Sequence, residues 1–208
     1  LGYRLLQEEY EPEVARAIRT ILRPGDIAVD IGANIGINTL TMSQTVGVDG
    51  EVHAFEPSPD VLPVIRANAR PRRRRDWREN ILVRPSVVSD GTSDTVTLRQ
   101  FGPKHSMFNT TSDLVTAVLE YPHEMTTVDV PTTTLDAYAE SRRLQKIRLI
   151  KADVETREMP VLVGAERMIR TMRPYIIFEA GDNRNKKPGE SVYDCVRFLK
   201  GLGYSCGL

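Results

Sequence analysis

Cysteine and long apolar runs are the features this sequence has least of. Only Cys195 and Cys206 occur among 208 residues, too few for the disulfide framework of a small secreted protein, so we expect a reducing, cytoplasmic setting. The longest uncharged apolar runs, such as Tyr175–Phe178, fall far short of the roughly 20 residues of a membrane helix. No signal-peptide pattern opens the sequence, and we therefore expect a soluble protein with no membrane span.

A charge excess of either sign is also missing, because 28 lysines and arginines balance 28 aspartates and glutamates. No overall field therefore favours nucleic acid or a membrane surface. The 40% hydrophobic composition is that of an ordinary globular protein, and residues 1–208 are expected to form one domain. The sequence starts at Leu1 instead of Met and ends as residues 204–206 begin to resemble a strand, which is consistent with a piece of a longer protein. Oligomeric state has no signal in the sequence.

Strand and helix patterns alternate along most of the chain. After a helical lead-in within residues 1–24, short apolar runs predict core strands, and apolar residues three and four apart predict helices. The predicted strands are 27–31, 51–57, 81–89, 146–154 and 174–180, and the predicted helices are 12–22, 35–46, 60–69, 160–172 and 192–202. Ser58 is the predicted N-cap of the third helix, with Pro59 at its first position. The alternation predicts an α/β fold with a Rossmann-like, doubly wound and mostly parallel sheet.

Two strand-like runs depart from this rhythm. Residues 95–98 and 127–131 alternate polar and apolar side chains, which predicts an antiparallel strand pair inserted before the fourth core strand. Residues 100–125 lie between the two runs and are polar, with Gly, Pro and Thr. We expect them to form an insert on the substrate side of the protein.

The carboxyl ends of parallel strands form the ligand-binding edge of such a sheet. After the first strand, Asp30 precedes a loop with Gly32 and Gly36, a spacing unlike the G-x-G-x-x-G of dinucleotide-binding enzymes. A carboxylate at Asp30 disfavours a pyrophosphate and favours a cationic or zwitterionic ligand. S-adenosylmethionine fits, because it carries a sulfonium and an α-ammonium, while Gly32 permits close approach and N–H groups near Asn34 remain for its carboxylate. Glu56, after the second strand, can accept both hydroxyls of a ribose.

Five sequence blocks occur in the order of a known family. These blocks, within roughly residues 25–180, are VDIGANIGINTL, HAFEPSP, VPTTTLDAY, IRLIKADVE and RPYIIFE. Together they resemble the FkbM-type family of class I S-adenosylmethionine-dependent methyltransferases. The resemblance implies methyl transfer to an acceptor such as a hydroxyl oxygen of a sugar, polyketide or other small natural product.

The resemblance also implies positions in a cofactor site. Asp30, Gly32, Asn34 and Gly36 would line the methionine portion, Glu56 would hold the ribose, Val87 and Val88 would flank the adenine, and Asp153 would face the reacting end. Ala33, Asn38 and Pro57 complete the implied set. The chain departs from the family at Thr156, where a glycine usually follows Asp-Val-Glu. Because a β-branched residue tolerates positive φ poorly, we expect a reshaped turn if the family's glycine uses that region.

Transfer to a neutral hydroxyl requires a group that removes a proton. Asp153 is the first candidate for this general base, because it ends a buried strand at the ligand edge; its alternative role is to hold the α-ammonium of the cofactor. His105 is the second candidate, on an insert that could close over the substrate, with a solvated loop histidine as the alternative. Glu179 and Glu155 complete the catalytic candidates.

A metal site and a nucleic-acid partner are not expected. Asp153 and Glu155 point the same way but form an incomplete ligand set for Mg²⁺. The basic run from Arg70 to Arg78, which includes Trp77, is typical of a solvated surface segment, and the alternative is an RNA or phosphorylated substrate. Two further alternatives are a NAD-type oxidoreductase, which the glycine spacing disfavours, and a non-catalytic binding module with this fold. The expected partner is a small hydroxylated acceptor.

Overall fold

The computed structural model describes residues 11–71, 77–102, 105–106, 109–111, 125–179 and 191–207. Its helices are α1 (Pro12–Ile21), α2 (Ile37–Val46), α3 (Leu62–Ala69), α4 (Leu135–Ser141), α5 (Glu158–Val163), α6 (Glu166–Met172) and α7 (Val192–Gly201). Its strands are β1 (Ile27–Ile31), β2 (Glu51–Phe55), β3 (Ile81–Arg84), β4 (Val87–Val88), β5 (Thr95–Gln100), β6 (Thr126–Thr133), β7 (Leu149–Ala152) and β8 (Tyr175–Phe178).

Five parallel strands form the main sheet in the order β3-β2-β1-β7-β8. The central strand β1 pairs with β2 on one side and with β7 on the other. The chain runs from β1 outward to β2 and β3 and later returns to β7 and β8 on the opposite side. The strand order therefore reverses between β1 and β7, which confirms the predicted doubly wound fold and marks the edge where ligands bind.

Side chains of the central strands enter two separate cores, one on each face of the sheet. Ala28 and Leu149 pack with side chains of α1 and α2. Val29 and Ile150 pack with side chains of α4, α5, α6 and α7. Because successive strand residues point to opposite faces, the buried and mostly apolar runs of β1 and β7 fit a sheet covered on both sides. Among the described helices, none has both the length and the apolar character needed to cross a membrane.

A smaller sheet has the strand order β4-β6-β5. Strands β5 and β6 pair antiparallel along six residues each, which confirms the predicted strand pair. The single strand predicted over residues 81–89 is instead two strands, since β3 joins the main sheet and β4 pairs with β6. Pro85 lies at this break and has no N–H group with which to continue a sheet ladder.

The helix predicted over residues 160–172 is two helices in the structure, α5 and α6. Gly164 lies at their junction, where its backbone passes so close to Ser89 that a Cβ would stand 1.9 Å from the Ser89 carbonyl oxygen. Helix α4 was not predicted, although Thr134 caps it by accepting a hydrogen bond from the Ala137 N–H at 3.0 Å. A short amphipathic helix directly after a strand gives too few turns for its period to stand out.

The predicted N-cap at Ser58 was wrong. Helix α3 begins at Leu62, and the Ser58 hydroxyl instead donates to the Gln100 side-chain oxygen at 2.6 Å. This hydrogen bond ties the end of the main-sheet strand β2 to strand β5 of the smaller sheet. Before α3, it is the backbone carbonyl oxygen of Ser58 that accepts from the Val61 and Leu62 N–H groups, at 3.1 and 2.9 Å.

Candidate active site

A cavity of about 370 Å³ opens at the carboxyl ends of β1, β2 and β7, beside the reversal of strand order. Ten residues expected in the site line it: Gly32, Ala33, Asn34, Asn38, Glu56, Pro57, Val87, Val88, Asp153 and Glu155. Four expected residues do not line it: Asp30, Gly36, His105 and Glu179. Several lining residues had not been singled out, including Ser86, Leu98, Ser106, Thr110, Lys151 and Arg157.

The β1–α2 loop turns through residues with positive φ. The φ angle is 75° at Gly32, 48° at Asn34 and 91° at Gly36. A Cβ at Gly32 would lie 1.8 Å from the carbonyl oxygen of Asp153, so this glycine lets the ends of β1 and β7 approach each other. Gly32 was expected to permit close approach by a ligand, but the Asp153 backbone already excludes a side chain at this position.

Glu56 is fixed at the end of β2 by two backbone N–H groups. The Asn34 N–H donates to Oε2 and the Ser58 N–H donates to Oε1, both at 2.8 Å. The residue is 5% exposed, and burial raises the pKa of Glu56 to about 7 although both N–H groups favour the charged form. Each carboxyl oxygen retains a lone pair for another donor. Glu56 can therefore accept hydrogen bonds from ligand hydroxyls in the cavity.

Lys151 joins two of the predicted acids. Its Nζ lies 3.0 Å from Asp153 Oδ2 and 3.8 Å from Asp30 Oδ1. Burial alone would lower the pKa of Lys151, but the negative charges of Asp30 and Asp153 raise it above its usual value. The sequence contained a signal for this group, because a lysine inside the apolar strand β7 requires paired carboxylates.

Asp30 lies one layer behind the cavity and not in its wall, which corrects its expected place against the methionine portion. It is fully buried, and Thr39 Oγ1 donates to Asp30 Oδ2 at 2.6 Å. Burial raises the pKa of Asp30, and the Lys151 ammonium opposes that rise. The alternation of β1 directs Asp30 toward α2, whereas the next residue, Ile31, lines the cavity.

Three carboxylates meet at the ends of β7 and β8. Oxygen atoms of Asp153, Glu155 and Glu179 all lie within 4.8 Å of one another. Burial, followed by the charge of Glu179, raises the pKa of Glu155 to about 8. Burial, followed by the charge of Asp153, raises the pKa of Glu179 to about 7. Glu179 supplies the third oxygen donor that the sequence lacked, so the cluster offers about half of the six oxygen ligands of Mg²⁺.

The turn after β7 contains two consecutive residues with positive φ, 48° at Glu155 and 78° at Thr156. Thr156 itself adopts the left-handed conformation that a β-branched residue tolerates poorly. Its N–H donates to Glu158 Oε1 at 3.2 Å. A β-branched residue in this region costs about 1 to 3 kcal/mol, and the strain lies beside the acid cluster.

The described part of the insert reaches the cavity through two hydroxyls. Ser106 Oγ donates to Asn34 Oδ1 at 3.1 Å, and Thr110 Oγ1 donates to the carbonyl oxygen of Glu155 at 3.0 Å. These bonds connect the insert to the β1–α2 loop and to the turn after β7. His105 does not line the cavity, although its neighbour Ser106 does.

Asn38 offers a buried acceptor beside the cavity that it lines. Its Nδ2 donates to Glu11 Oε2 at 3.0 Å, whereas its Oδ1 is buried without a hydrogen-bond partner among the described residues. Such an atom is costly to leave unmatched and suits a ligand donor. Val87 and Val88 form an apolar part of the wall.

The basic run from Arg70 to Arg78 falls largely outside the described residues, which omit 72–76. The run leads into the beginning of β3. That point is at the amino edge of the parallel sheet, whereas the cavity is at the carboxyl edge. The described end of the run, Trp77 and Arg78, therefore lies at the edge of the sheet opposite the cavity.

Solved methyltransferases share this fold. Methyltransferase FkbM from Methylobacillus flagellatus KT aligns with a TM-score of 0.53 at 16% identity, over 90% of this chain and 43% of that one. Precorrin-6y C5,15-methyltransferase from Geobacter metallireducens GS-15 aligns with a TM-score of 0.53 at 12% identity, over 94% of this chain and 73% of that one. The fold is that of the class I methyltransferases.

The sequence comparison identifies the family. The profile described as the methyltransferase FkbM domain matches residues 30–206, and the chain belongs to the FkbM methyltransferase family. A curated relative, 31-O-demethyl-FK506 methyltransferase FkbM from Streptomyces tacrolimicus, is 30% identical over 163 residues, which are 70% of this chain. The chain spans 61% of the length of that relative.

Proposed function

We propose that this chain is an S-adenosylmethionine-dependent methyltransferase that methylates a hydroxyl oxygen of a small molecule such as a sugar or polyketide. The observation that carries the proposal is Glu56, a buried carboxyl at the end of β2 with free lone pairs in the cavity. Membership of the FkbM family supports methyl transfer. The oxygen acceptor is suggested by the name of the curated relative, which describes O-methylation of that protein's own substrate.

The residues present fit the cofactor. Glu56 would accept the ribose hydroxyls, the apolar wall of Val87 and Val88 would contact the adenine, and the unpartnered Asn38 Oδ1 would accept from the amino-acid portion. Asp153 would bind a cationic group. When bound, S-adenosylmethionine supplies a methyl group already activated on a sulfonium, so the chain has only to position the acceptor and to remove its proton.

Glu155 is the general base of this proposal. It lines the cavity, and its pKa of about 8 is close to the operating pH that favours proton transfer. Asp153, the first candidate from the sequence, is already bound by the Lys151 ammonium at 3.0 Å. Glu179 lies within 4.8 Å of both acids, where it can share the proton that Glu155 accepts.

Transfer of a labelled methyl group from S-adenosylmethionine to a panel of hydroxylated sugars, polyketides and lipids tests the proposal. Glu155→Gln should lower kcat by about 100-fold or more, since it removes a general base, and should weaken cofactor binding much less. Glu140→Gln, an exposed glutamate on α4, is the matched control and should retain wild-type activity. Absence of cofactor binding by the wild-type chain would overturn the proposal. Transfer to a nitrogen acceptor alone would overturn the oxygen specificity.

A further inference from the structure

Lys151 is a buried cation at the wall of the cavity. It is 4% exposed and lies in a strand whose other residues, Leu149, Ile150 and Ala152, are apolar and buried. A buried ammonium is tolerated only where carboxylates compensate its lost hydration. Two carboxylates provide that compensation: Asp30 Oδ1 lies 3.8 Å and Asp153 Oδ2 lies 3.0 Å from the Lys151 Nζ.

Asp30 does not line the cavity, but it lies beside Lys151, which does. It is fully buried, one of its oxygens accepts from Thr39, and the other has no hydrogen-bond partner among the described residues. The ammonium of Lys151 is its nearest counter-charge. Asp30 can therefore influence a ligand indirectly, by fixing the position of Lys151, which in turn binds Asp153.

Asp153 is the member of the group that a ligand can touch. Its side chain is 23% exposed and lines the cavity. Lys151 occupies Oδ2, while a carboxylate has about four lone-pair directions and can accept further donors.

Several other acids face this group. Glu155, Glu158 and Glu179 surround the end of β7, and Glu179 forms a hydrogen bond with Asp153. Glu11 approaches Lys151 from the amino end of α1. Lys151 singles out Asp153 among these acids. Within the described residues, the only hydrogen bond from a lysine to any of them is the one that Lys151 donates to Asp153.

We propose that Lys151 is a positioning residue, secured by Asp30, that orients the Asp153 carboxylate in the cavity wall to bind the α-ammonium group of the methyl donor. The inference rests on the proposed function, because it assigns the end of the cavity that takes the amino-acid portion. Glu56, directly after β2 and separated from β7 by β1, takes the nucleoside portion.

Calorimetric titration with two ligands tests this assignment. S-adenosylmethionine carries the α-ammonium, whereas 5′-methylthioadenosine keeps the nucleoside and lacks the amino acid. Lys151→Met should weaken S-adenosylmethionine binding about tenfold or more, as expected for a lost charge-assisted hydrogen bond, and should leave 5′-methylthioadenosine binding within about twofold. Lys151→Arg should recover most of the lost affinity. Lys146→Met, which removes an exposed lysine from the opposite edge of the sheet, is the control and should bind both ligands as the wild type does.

A double-variant cycle separates positioning from direct contact. Asp153→Asn should give the same selective loss as Lys151→Met, and the double variant should lose no more than either single variant, because both act on one contact. Asp30→Asn keeps an acceptor for Thr39 and should give a smaller selective loss. It also serves as the measurement if Lys151→Met fails to fold.

Three results would overturn the inference. Equal weakening of both ligands by Lys151→Met would indicate a purely structural lysine, and unchanged binding of both would indicate no role at all. Additive losses in the double variant would mean that Lys151 contacts the ligand independently of Asp153. If the wild-type chain bound neither ligand, the proposed function itself would fail, and this outcome differs from all three.

Discussion

Replacing Glu56 with glutamine removes the group that carries the proposed function while keeping its size. Each carboxyl oxygen accepts one backbone N–H at 2.8 Å, so the amide NH₂ of glutamine must face one of these donors. The ribose would lose a hydrogen bond to a charged acceptor, a contribution of about 1.5 to 3 kcal/mol, which corresponds to roughly 10- to 100-fold in Kd. Calorimetric titration should show this loss for both S-adenosylmethionine and 5′-methylthioadenosine. Asp60→Asn, an exposed acid on the same loop, should bind like the wild type.

Glu56 should also make the affinity measured in this titration depend on pH. Hydroxyl donors bind the carboxylate form, and the pKa of Glu56 is raised to about 7 in the free protein. Affinity should therefore rise as the pH increases from about 6 to about 8, and Glu56→Gln should lose this part of the dependence. If Glu56→Gln bound both ligands with wild-type affinity at every pH, the assignment of the ribose to Glu56 would be refuted.

Three further predictions concern the loops and the acid cluster. Gly32→Ala should lower the free energy of unfolding by about 3 kcal/mol or more, measured by urea denaturation. Gly25 has a similar φ, but no atom lies within 4 Å of an added Cβ there, so Gly25→Ala should lower the free energy of unfolding by only about 1 kcal/mol. Equal losses in the two variants would show that a Cβ at Gly32 meets no clash. Thr156→Gly should raise the free energy of unfolding by about 1 kcal/mol by relieving left-handed strain, and a loss would show that the strain is absent. Cofactor binding near pH 7 should release protons, because a bound cation lowers the raised pKa values of Glu155 and Glu179. Calorimetry in buffers of different ionisation enthalpy measures this release, and proton uptake would contradict the prediction.

The raised carboxyl pKa values also determine how stability depends on pH. The pKa values of Glu56, Glu155 and Glu179 stand at about 7, 8 and 7, above the usual 4.5. The folded state therefore binds more protons than the unfolded state between about pH 4.5 and pH 8. These groups stabilise the ligand-free protein fully below that window, and their contribution is lost as the pH rises through it.

The sheet was predictable because each of its strands has a recognisable local sequence pattern. Buried runs such as those of β1 and β7, separated by helices with a clear period, specify a parallel sheet covered on both faces. The break at Pro85 and the junction at Gly164 were missed for a common reason. Each depends on a partner distant in sequence, strand β6 in one case and the Ser89 carbonyl in the other.

The site divides in the same way. Residues on the turns that follow strands, such as Asn34 and Glu56, could be placed from topology, because strand ends meet at one edge. The role of Asp30 could not, since the face to which a strand side chain points decides between ligand contact and burial. Lys151 was missed because its place in an apolar run signals a need for paired carboxylates but does not say which acids pair with it; the structure identifies them as Asp30 and Asp153. Glu179 was expected near this edge because it ends a strand, but its approach to within 4.8 Å of the β7 acids required the register between β7 and β8.

The central claim is that this cavity binds S-adenosylmethionine, and the most direct measurement is calorimetric titration of the wild-type chain with S-adenosylmethionine and, separately, with NAD. The account predicts saturable 1:1 binding of S-adenosylmethionine and no binding of NAD. Saturable binding of NAD without binding of S-adenosylmethionine would contradict it.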